Sequence, residues 1–550
     1  MPDQHVPVLI VGGSLVGLST SLLLAHHGVP SLLVERHSGT AIHPRAASFH
    51  QRTMEIYRSV GLQDAVETAA AQEFVQNGAI TSVESLTGEE LKFFYRSFND
   101  GVEGLSPTSR LFVTQVGLEP LLRVRAQELG ADLRYSTELV GVEQHDDSVT
   151  AVLRPRDGGP EHTVHADYLV AADGAHSGIR EQLGIDMLGR GSFADCVTIY
   201  FKSDLRQMIG DRNLSVVYVN QPDLLGFFRF SITADSGFLA VFSTKNPDGS
   251  RDSRVGPDMS VEHCAELVRK ALGCGPDEPI DIADVQAWQA TAAWAARFRD
   301  RRILLAGDAA HLMPPTGGFG GNTGVGDAHN LAWKLAAVLG GTAGPELLDT
   351  YDTERRPVGQ MIVEQAYTRY VGRVDPSLAT DDLAAPLDDA AIELGPVYRS
   401  AAILAEQSAA QQPPPLDDPR TPTGRPGTRA PHVPLERHGR PMSVHDLFER
   451  RFVLLTGASG QQWCDAARQV AGSGRLPLDA HQVGGDGELI DSDDRFTAAF
   501  GIGPDGAVIV RPDGVIAWRS TTVANGHRGL VEDAMHRLLF RADADPRGRR

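Results

Sequence analysis

Three clusters of residues in this chain have types and spacing that suit a nucleotide or redox cofactor. The first is Gly12-x-Ser14-x-x-Gly17, with Glu35 further on. It reads as a G-x-G-x-x-G fingerprint. Its glycines allow a tight turn and close helix–strand packing, the helix N-terminus receives a pyrophosphate, and the acidic residue accepts hydrogen bonds from a ribose. Ser14 stands where the second glycine belongs. It brings a Cβ and a hydroxyl towards the phosphates and is tolerated if its φ is negative. The second cluster, Asp173-Gly174, follows the apolar run "YLVAA", and the carboxyl ends of strands are where open α/β sheets bind ligands. The third is "RILLAGDAAHLMPPTGGFGGNTG". Asp308 ends a strand-like run and can bind sugar or ribityl hydroxyls. The Gly/Pro loop brings backbone close to a ligand. The helix after it aims free N–H groups at the same place, which suits an electron-accepting carbonyl edge such as a reduced flavin ring.

These clusters need particular elements to hold them. "VPVLIV" reads as a buried strand, "GGSLVG" as a turn, "LSTSLLLAHHG" as a helix closing at Gly28, and "PSLLVERH" as a second strand, which makes a βαβ unit. The segment "HPRAASFHQRTMEIYRSVGL" then places Arg45 and Arg52 near the expected pyrophosphate. Val6 to Ala25 carries no charge and is long enough to cross a bilayer. Yet its leader "MPDQH" has no positive charge, and it runs into His26, His27 and Gly28 rather than a small-residue cleavage site. A nucleotide cradle is therefore the better reading than an export or membrane segment.

The bulk composition narrows the class. A chain of 550 residues is too long for one core, so two or three domains are expected. Hydrophobic residues at 41% and charged residues at 22% give an ordinary globular balance. The net charge of −20 argues against nucleic acid or an anionic membrane surface as partner. Cys196, Cys264, Cys274 and Cys464 form no C-x-x-C and no metal-like cluster, which suggests a reducing, cytoplasmic setting, no structural disulfide and no metal.

Together, the three clusters resemble the FAD motifs of the class A flavoprotein monooxygenases, which have the para-hydroxybenzoate hydroxylase fold. The resemblance covers nearly the whole chain and is nearest to bacterial aromatic polyketide hydroxylases of the aklavinone 11-hydroxylase type. "HPRAA", "RTME", "LAGDAAHLMPPTGG", "LAWKLAAVL", "LLDTYDTERRPV", "TPTGRPGTRAPHV" and "IVRPDGVIAWR" carry it. It implies an α/β fold with a Rossmann-like FAD-binding domain, an inserted α+β substrate domain and a C-terminal thioredoxin-like domain. FAD contacts are implied for Gly12, Ser14, Leu15, Gly17, Glu35, Arg36, Arg45, Gln115, Asp308, Pro315, Gly320, Gly321, Asn322 and Thr323. Asp173 and Gly174 match a motif serving both FAD and NAD(P)H. NADPH is implied as a transient co-substrate, since no second G-x-G-x-x-G occurs in a strand–turn–helix context. Tyr218 and Arg373 fall where relatives place side chains near the aromatic ligand.

The expected organisation is discontinuous. Residues 1–75, 106–185 and 285–400 form the FAD-binding domain, and 76–105 with 186–284 form a substrate domain whose antiparallel sheet walls the active site. Residues 401–434 are Pro-rich and read as a linker or arm. Residues 435–550 form the thioredoxin-like domain, whose single Cys464 excludes C-x-x-C chemistry and leaves a structural or assembly role. The basic end (Arg547, Arg549, Arg550) reads as a tail. The implied reaction is hydroxylation of a polycyclic aromatic polyketide by a flavin hydroperoxide formed from O2. Tyr218 and His311 are candidate bases for the phenol, although a loop histidine that only positions its turn is the better reading of His311. Baeyer–Villiger oxygenation, epoxidation and a non-catalytic flavin-binding assembly role remain open, as do monomer and homodimer.

Overall fold

The structure is a computed structural model that describes residues 4–42, 47–243, 255–256, 258–406, 414–474, 476–521 and 526–541. Strand β1 (Gln4–Val11) turns into helix α1 (Leu15–His26) and returns as β2 (Ser31–Val34). Helix α2 (Gln51–Ser59) and strands β3 (Ala79–Val83) and β4 (Glu90–Tyr95) follow. Helix α3 (Gln115–Glu128) leads to β5 (Asp132–Arg134), β6 (Thr137–Gln144), β7 (Val149–Pro155) and β8 (His162–Ala171). Next come β9 (Met187–Lys202), β10 (Leu214–Gln221), β11 (Leu224–Phe230), β12 (Ser236–Phe242) and β13 (Asp281–Ala295). The short strands β14 (Arg299–Asp300), β15 (Ile303–Leu305) and β16 (His311–Leu312) precede two long helices, α4 (Phe319–Leu339) and α5 (Asp349–Arg373).

The first sheet has the order β14-β15-β8-β1-β2-β5, with β6 and β7 attached beside β8. Its centre is parallel: β1 pairs with β2 and β8, β15 with β8, and β2 with β5. Both faces of that centre are covered, so β1 and β2 read as near-continuous apolar runs rather than alternating ones. Helix α1 is buried on nearly all sides. It accommodates Ser19 and Thr20 because their hydroxyls donate back to the carbonyls of Leu15 and Val16.

The second sheet runs β16-β13-β9-β12-β11-β10-β3-β4 and is antiparallel except where β10 meets β3. Strand β13 pairs with β9 along its whole length, from Asp281 to Ala295. A domain boundary near residue 285 therefore falls inside a strand, because its alternating residues keep pairing until the chain reaches the first sheet.

The C-terminal part has a four-stranded sheet of order β20-β19-β22-β23. The hairpin β17 (Pro434–Arg437) and β18 (Arg440–Ser443) precedes β19 (Phe452–Thr456), and helix α6 (Gln461–Gly474) leads to β20 (Leu478–Gln482). Then come β21 (Leu489–Ile490), β22 (Ala507–Val510), β23 (Ile516–Ser520) and helix α7 (His527–Leu538). Strands β19 and β20 are parallel, β22 runs antiparallel to β19, and β23 runs antiparallel to β22. This is the thioredoxin-like arrangement. Cys464 is buried in it, and burial pushes its thiol up to about 11. The described part of the Pro-rich segment is an arm, not a free linker. Leu416 bridges Pro396, Gly427 donates to the Ile516 carbonyl, and Arg429 pairs with Glu55 on α2. The basic end (Arg547, Arg549, Arg550) lies outside the described residues. No helix among the described residues is long and apolar enough to cross a membrane.

A buried ion cluster joins the C-terminal part to the rest. Glu354 on α5 accepts from Lys334 on α4 at 2.8 Å and from Arg511 at 2.7 Å. Arg511 also donates to Asp513 at 3.0 Å. The four side chains are 0–2% exposed. Burial alone would raise the Glu354 pKa, but Arg511 and Lys334 outweigh it and hold the carboxyl well below the usual range. Replacing Arg511 with Met leaves Glu354 and Asp513 without their shared guanidinium. The unfolding free energy from urea titration should fall by about 3–5 kcal/mol, and a loss under about 1 kcal/mol would mean that this cluster does not fasten the two parts.

Candidate active site

The three sequence clusters meet at the carboxyl ends of β1, β8 and β15. Gly12 has φ +105°, and a Cβ there would lie 2.2 Å from the Ala172 carbonyl oxygen, so only glycine lets β1 and β8 end side by side. At Gly17 a Cβ would lie 1.8 Å from the Gly12 carbonyl oxygen, which fixes how closely α1 sits on the turn. Val16 packs against both Gly307 and Gly324, bringing the third cluster and α4 to the same place. Arg180 spans from the Ala175 carbonyl to the Ala309 carbonyl and ties the second cluster to the third.

Ser14 is exposed and has φ −90° and ψ −167°, so the serine carries no backbone strain. It is the N-cap of α1 but makes no side-chain cap bond there, and the amides that open the helix, beginning with Leu15, have no helical acceptor. Glu35 is buried at the end of β2. It accepts from the Gly13 amide at 2.6 Å and from the His37 amide at 2.8 Å, and a carboxylate keeps lone pairs beyond these. Arg36 beside it is exposed, and its carbonyl accepts from Arg156. Asp173 accepts weakly from the Ile179 amide at 3.4 Å, while its Oδ1 is buried without a partner. Burial is the main cause of its raised pKa. Gly174 follows with φ +86°. Asp308 is exposed in the 3-10 turn Gly307–Ala309.

Pro315 is exposed and its carbonyl accepts from the Gly318 amide, closing the turn before α4. Gly318, the N-cap of α4, offers no side chain, so the amides around Gly320 and Gly321 are left to a ligand. Asn322 has no free side-chain valence for one. It donates to the carbonyls of Ser48 and Gly318 and accepts from the His50 amide and the Thr53 hydroxyl. Thr323 donates back to Phe319. Gln115 donates to Ser14 Oγ at 3.2 Å. Arg45 lies outside the described residues. The fit to a flavin dinucleotide is good: two uncapped helix N-termini, acidic groups suited to hydroxyls, glycines whose missing Cβ leaves backbone bare, and an orphaned carboxylate oxygen on Asp173.

Two expectations change. Arg52 does not turn to the pyrophosphate. It donates to Glu55 and to the Asp513 carbonyl, because the C-terminal part supplies acceptors that its own segment cannot reveal. His311 does not reach a phenol either. It is 1% exposed, and its Nε2 lies 2.7 Å from Asp327, which also binds the Gly307 amide and Arg355. His311 therefore fixes the third turn against α4.

The second sheet supplies the aromatic side of the site. Tyr218 on β10 faces Phe94 at 5.6 Å and Phe227 at 5.8 Å, ring centre to ring centre. Arg373, at the end of α5, lies over the Phe94 ring at 4.9 Å, beside Tyr218. Burial works against the Arg373 charge, but Tyr218 and Asp389 outweigh it and raise its pKa. Asp389 also binds Tyr95 and Arg369. One important group carries no sequence signal. Arg229 on β11 is 4% exposed and stacked at 4.1 and 4.2 Å on the rings of Phe74 and Phe112. It donates to the Ala47 carbonyl, while its Nε and Nη2 find no acceptor among the described residues. Burial pulls it down to about 9, and Glu73 opposes that shift. Nothing local distinguishes it from a surface arginine on a strand.

Comparison with known proteins agrees with this geometry. Residues 5–366 match the FAD binding domain family, and residues 423–542 match the aromatic-ring hydroxylase C-terminal family. A 4-methyl-5-nitrocatechol 5-monooxygenase from a Burkholderia species is 49% identical over 541 residues, 98% of each chain. A putative polyketide hydroxylase of Streptomyces halstedii is 42% identical over 94% of each. The solved complex of aklavinone-11 hydroxylase with FAD and aklavinone superposes with a TM-score of 0.91 at 38% identity, covering 98% of this chain and 100% of that one.

The cradle generates a direct test. Gly17→Ala puts a methyl group into the Gly12 carbonyl. The purified variant should be colourless or hold under about a tenth of the flavin of the parent, by 450 nm absorbance against protein, given an overlap far inside van der Waals contact. Full flavin content would contradict the cradle.

Proposed function

The chain belongs to the FAD-dependent aromatic-ring hydroxylases, and from that premise we propose that it hydroxylates a polycyclic, phenolic polyketide in antibiotic biosynthesis. NADPH and O2 are its co-substrates. The observation that carries the reading is the Tyr218–Arg373 pair, set in a wall of aromatic rings on the sheet that adjoins the cradle.

Bound FAD, once reduced by NADPH, supplies the means of placing one oxygen atom of O2 on an electron-rich ring. The protein binds, orients and excludes water. The opening amides of α1 hold the diphosphate, and Glu35 and Asp308 take hydroxyls. The amides around Gly320 and Gly321 favour negative charge at the edge of the ring system. The guanidinium of Arg373 sets a positive charge beside the Tyr218 hydroxyl. A phenolic ligand bonded to that hydroxyl loses its proton more readily beside a fixed positive charge. Arg229 adds a second positive charge on the same face, because alternate residues of β11 share a face and Tyr218 pairs with Phe227. Phe94, Phe227 and Phe242 exclude water from the reacting ring.

A second reading has a single-ring nitrocatechol as substrate, favoured by the nitrocatechol monooxygenase among the relatives. The chemistry is the same, and only the breadth of the aromatic face used differs. We place the enzyme in the cytoplasm as a monomer or homodimer.

The test is aerobic NADPH oxidation by the flavin-loaded protein with a panel of anthracyclinones, angucyclinones and 4-methyl-5-nitrocatechol, followed by product mass and NMR. One added oxygen on a ring carbon supports hydroxylation, and ring expansion would turn the reading to Baeyer–Villiger chemistry. Oxidation that no aromatic compound stimulates would leave a flavin-binding protein without this activity. Tyr218→Phe should lower kcat by about 10²-fold at unchanged flavin content. Arg373→Met should lower kcat similarly and flatten the alkaline rise of the kcat–pH profile.

A further inference from the structure

The fingerprint departs from its pattern at Ser14, and the structure gives that hydroxyl a partner that sequence does not suggest. Ser14 Oγ donates to Glu119 Oε1 at 2.6 Å, across 105 residues. Glu119, on α3, is 0% exposed. The same Oε1 accepts from Gln115 Nε2 at 3.0 Å, and Oε2 accepts from the Ala41 amide at 2.7 Å. These donors are a hydroxyl, a side-chain amide and a backbone amide, and none is a cation. A buried carboxylate whose donors among the described residues are all neutral is costly and depends on each of them.

The three donors come from the three segments that frame the cradle. Ser14 begins α1, Ala41 follows β2 and Gln115 opens α3. The carboxylate also lies beside a helix N-terminus suited to a diphosphate, where a second anion is repelled. Its place there is explained by what it holds. Were Ser14 a glycine, Glu119 Oε1 would keep only the Gln115 donor.

We propose that Glu119 is a positioning residue for the dinucleotide. It draws the Ser14 hydroxyl away from the ligand and locks the α1 turn, the Ala41 segment and Gln115 into one frame, so that the opening amides of α1 stay free for the diphosphate. Ser14 is then the required partner of Glu119 rather than a weakened glycine. The inference rests on the FAD reading above.

The counter-intuitive consequence is the test. Ser14→Gly restores the ordinary fingerprint, yet FAD should bind about tenfold more weakly, since a hydrogen bond to a buried charge is lost. The measurement is FAD fluorescence quenching on deflavinated protein, for the parent, Ser14→Gly, Glu119→Ala and the double variant. Glu119→Ala should weaken binding at least as much. The double variant should be no worse than Glu119→Ala alone, because the hydroxyl has nothing left to position. Glu119→Gln, which keeps one acceptor oxygen, should recover part of the loss. Melting of the deflavinated proteins separates positioning from general stability: Ser14→Gly removes one donor of a buried carboxylate and should melt below the parent, yet stay fully folded with one cooperative transition at the temperature of the binding assay while its Kd moves. Equal or tighter binding by Ser14→Gly overturns the proposal, and so do losses that simply multiply in the double variant. A parent protein that binds no FAD overturns the FAD reading itself, and the proposal with it.

Discussion

The rest of the structure depends on one constraint: charges buried between α4, α5 and the turn joining β22 and β23 must cancel. Lys334 and Arg511 balance Glu354 and Asp513, and all four are sealed from water. Removing one member leaves an uncompensated charge in a medium that cannot solvate it. The C-terminal part therefore cannot dissociate without exposing or stranding these groups. Trp333 on α4, packed edge-on against Phe452 at 5.7 Å, adds an apolar seal next to them. The cluster fixes the middle of α4, and the start of that helix is where the cradle needs its free amides.

A second buried cluster carries the constraint from the helix to the turn. Asp327, one helical stretch before Lys334, receives the Gly307 amide, His311 and Arg355. Arg355 in turn binds the Thr323 carbonyl and the Tyr398 hydroxyl. The turn bearing Asp308, the first turns of α4 and the backbone of α5 thus share one set of charge-assisted bonds. Such bonds are shorter and more directional than neutral ones. They suit a site whose chemistry comes from a bound group and whose protein part must above all stay still.

Much of this was legible in the sequence, in a way that follows the range of the forces. The βαβ unit shows because apolar runs, glycine placement and strand length act over a few residues. The three clusters show for the same reason. What did not show are groups whose partners lie far along the chain. His311 and Arg52 read as free polar residues near the site, and each is claimed by a carboxylate or carbonyl from another element. Glu119 reads as one more helix acid until its donors at Ser14 and Ala41 are seen. Arg229 has no periodic or motif signature, since one arginine in an apolar strand looks like an edge residue. A border near residue 285 lies within one strand, because β13 keeps pairing with β9 from Asp281 to Ala295 through three register shifts.

The two halves of the site are built on different principles, and this bears on how the fold serves different aromatic compounds. The cradle is mostly backbone: bare amides and close glycine contacts, with few side chains that could change the ligand. The opposite wall is mostly side chain. Phe94, Phe227, Phe242, Trp288 and Tyr370 present faces and edges to one another, and Tyr218, Tyr95, Arg373 and Arg229 add polarity. Backbone recognition is insensitive to substitution, so the cofactor half holds its geometry as the sequence drifts. Aromatic walls offer large area with little directional demand, so ring size can be changed by exchanging one or two side chains. Orientation is then decided by the few polar groups, because a buried hydroxyl or guanidinium left unmatched costs more than a mismatched ring contact. In the reading proposed above, substrate choice is accordingly written in β4, β10, β11 and the end of α5, and the reaction in the turns that follow β1, β8 and β15.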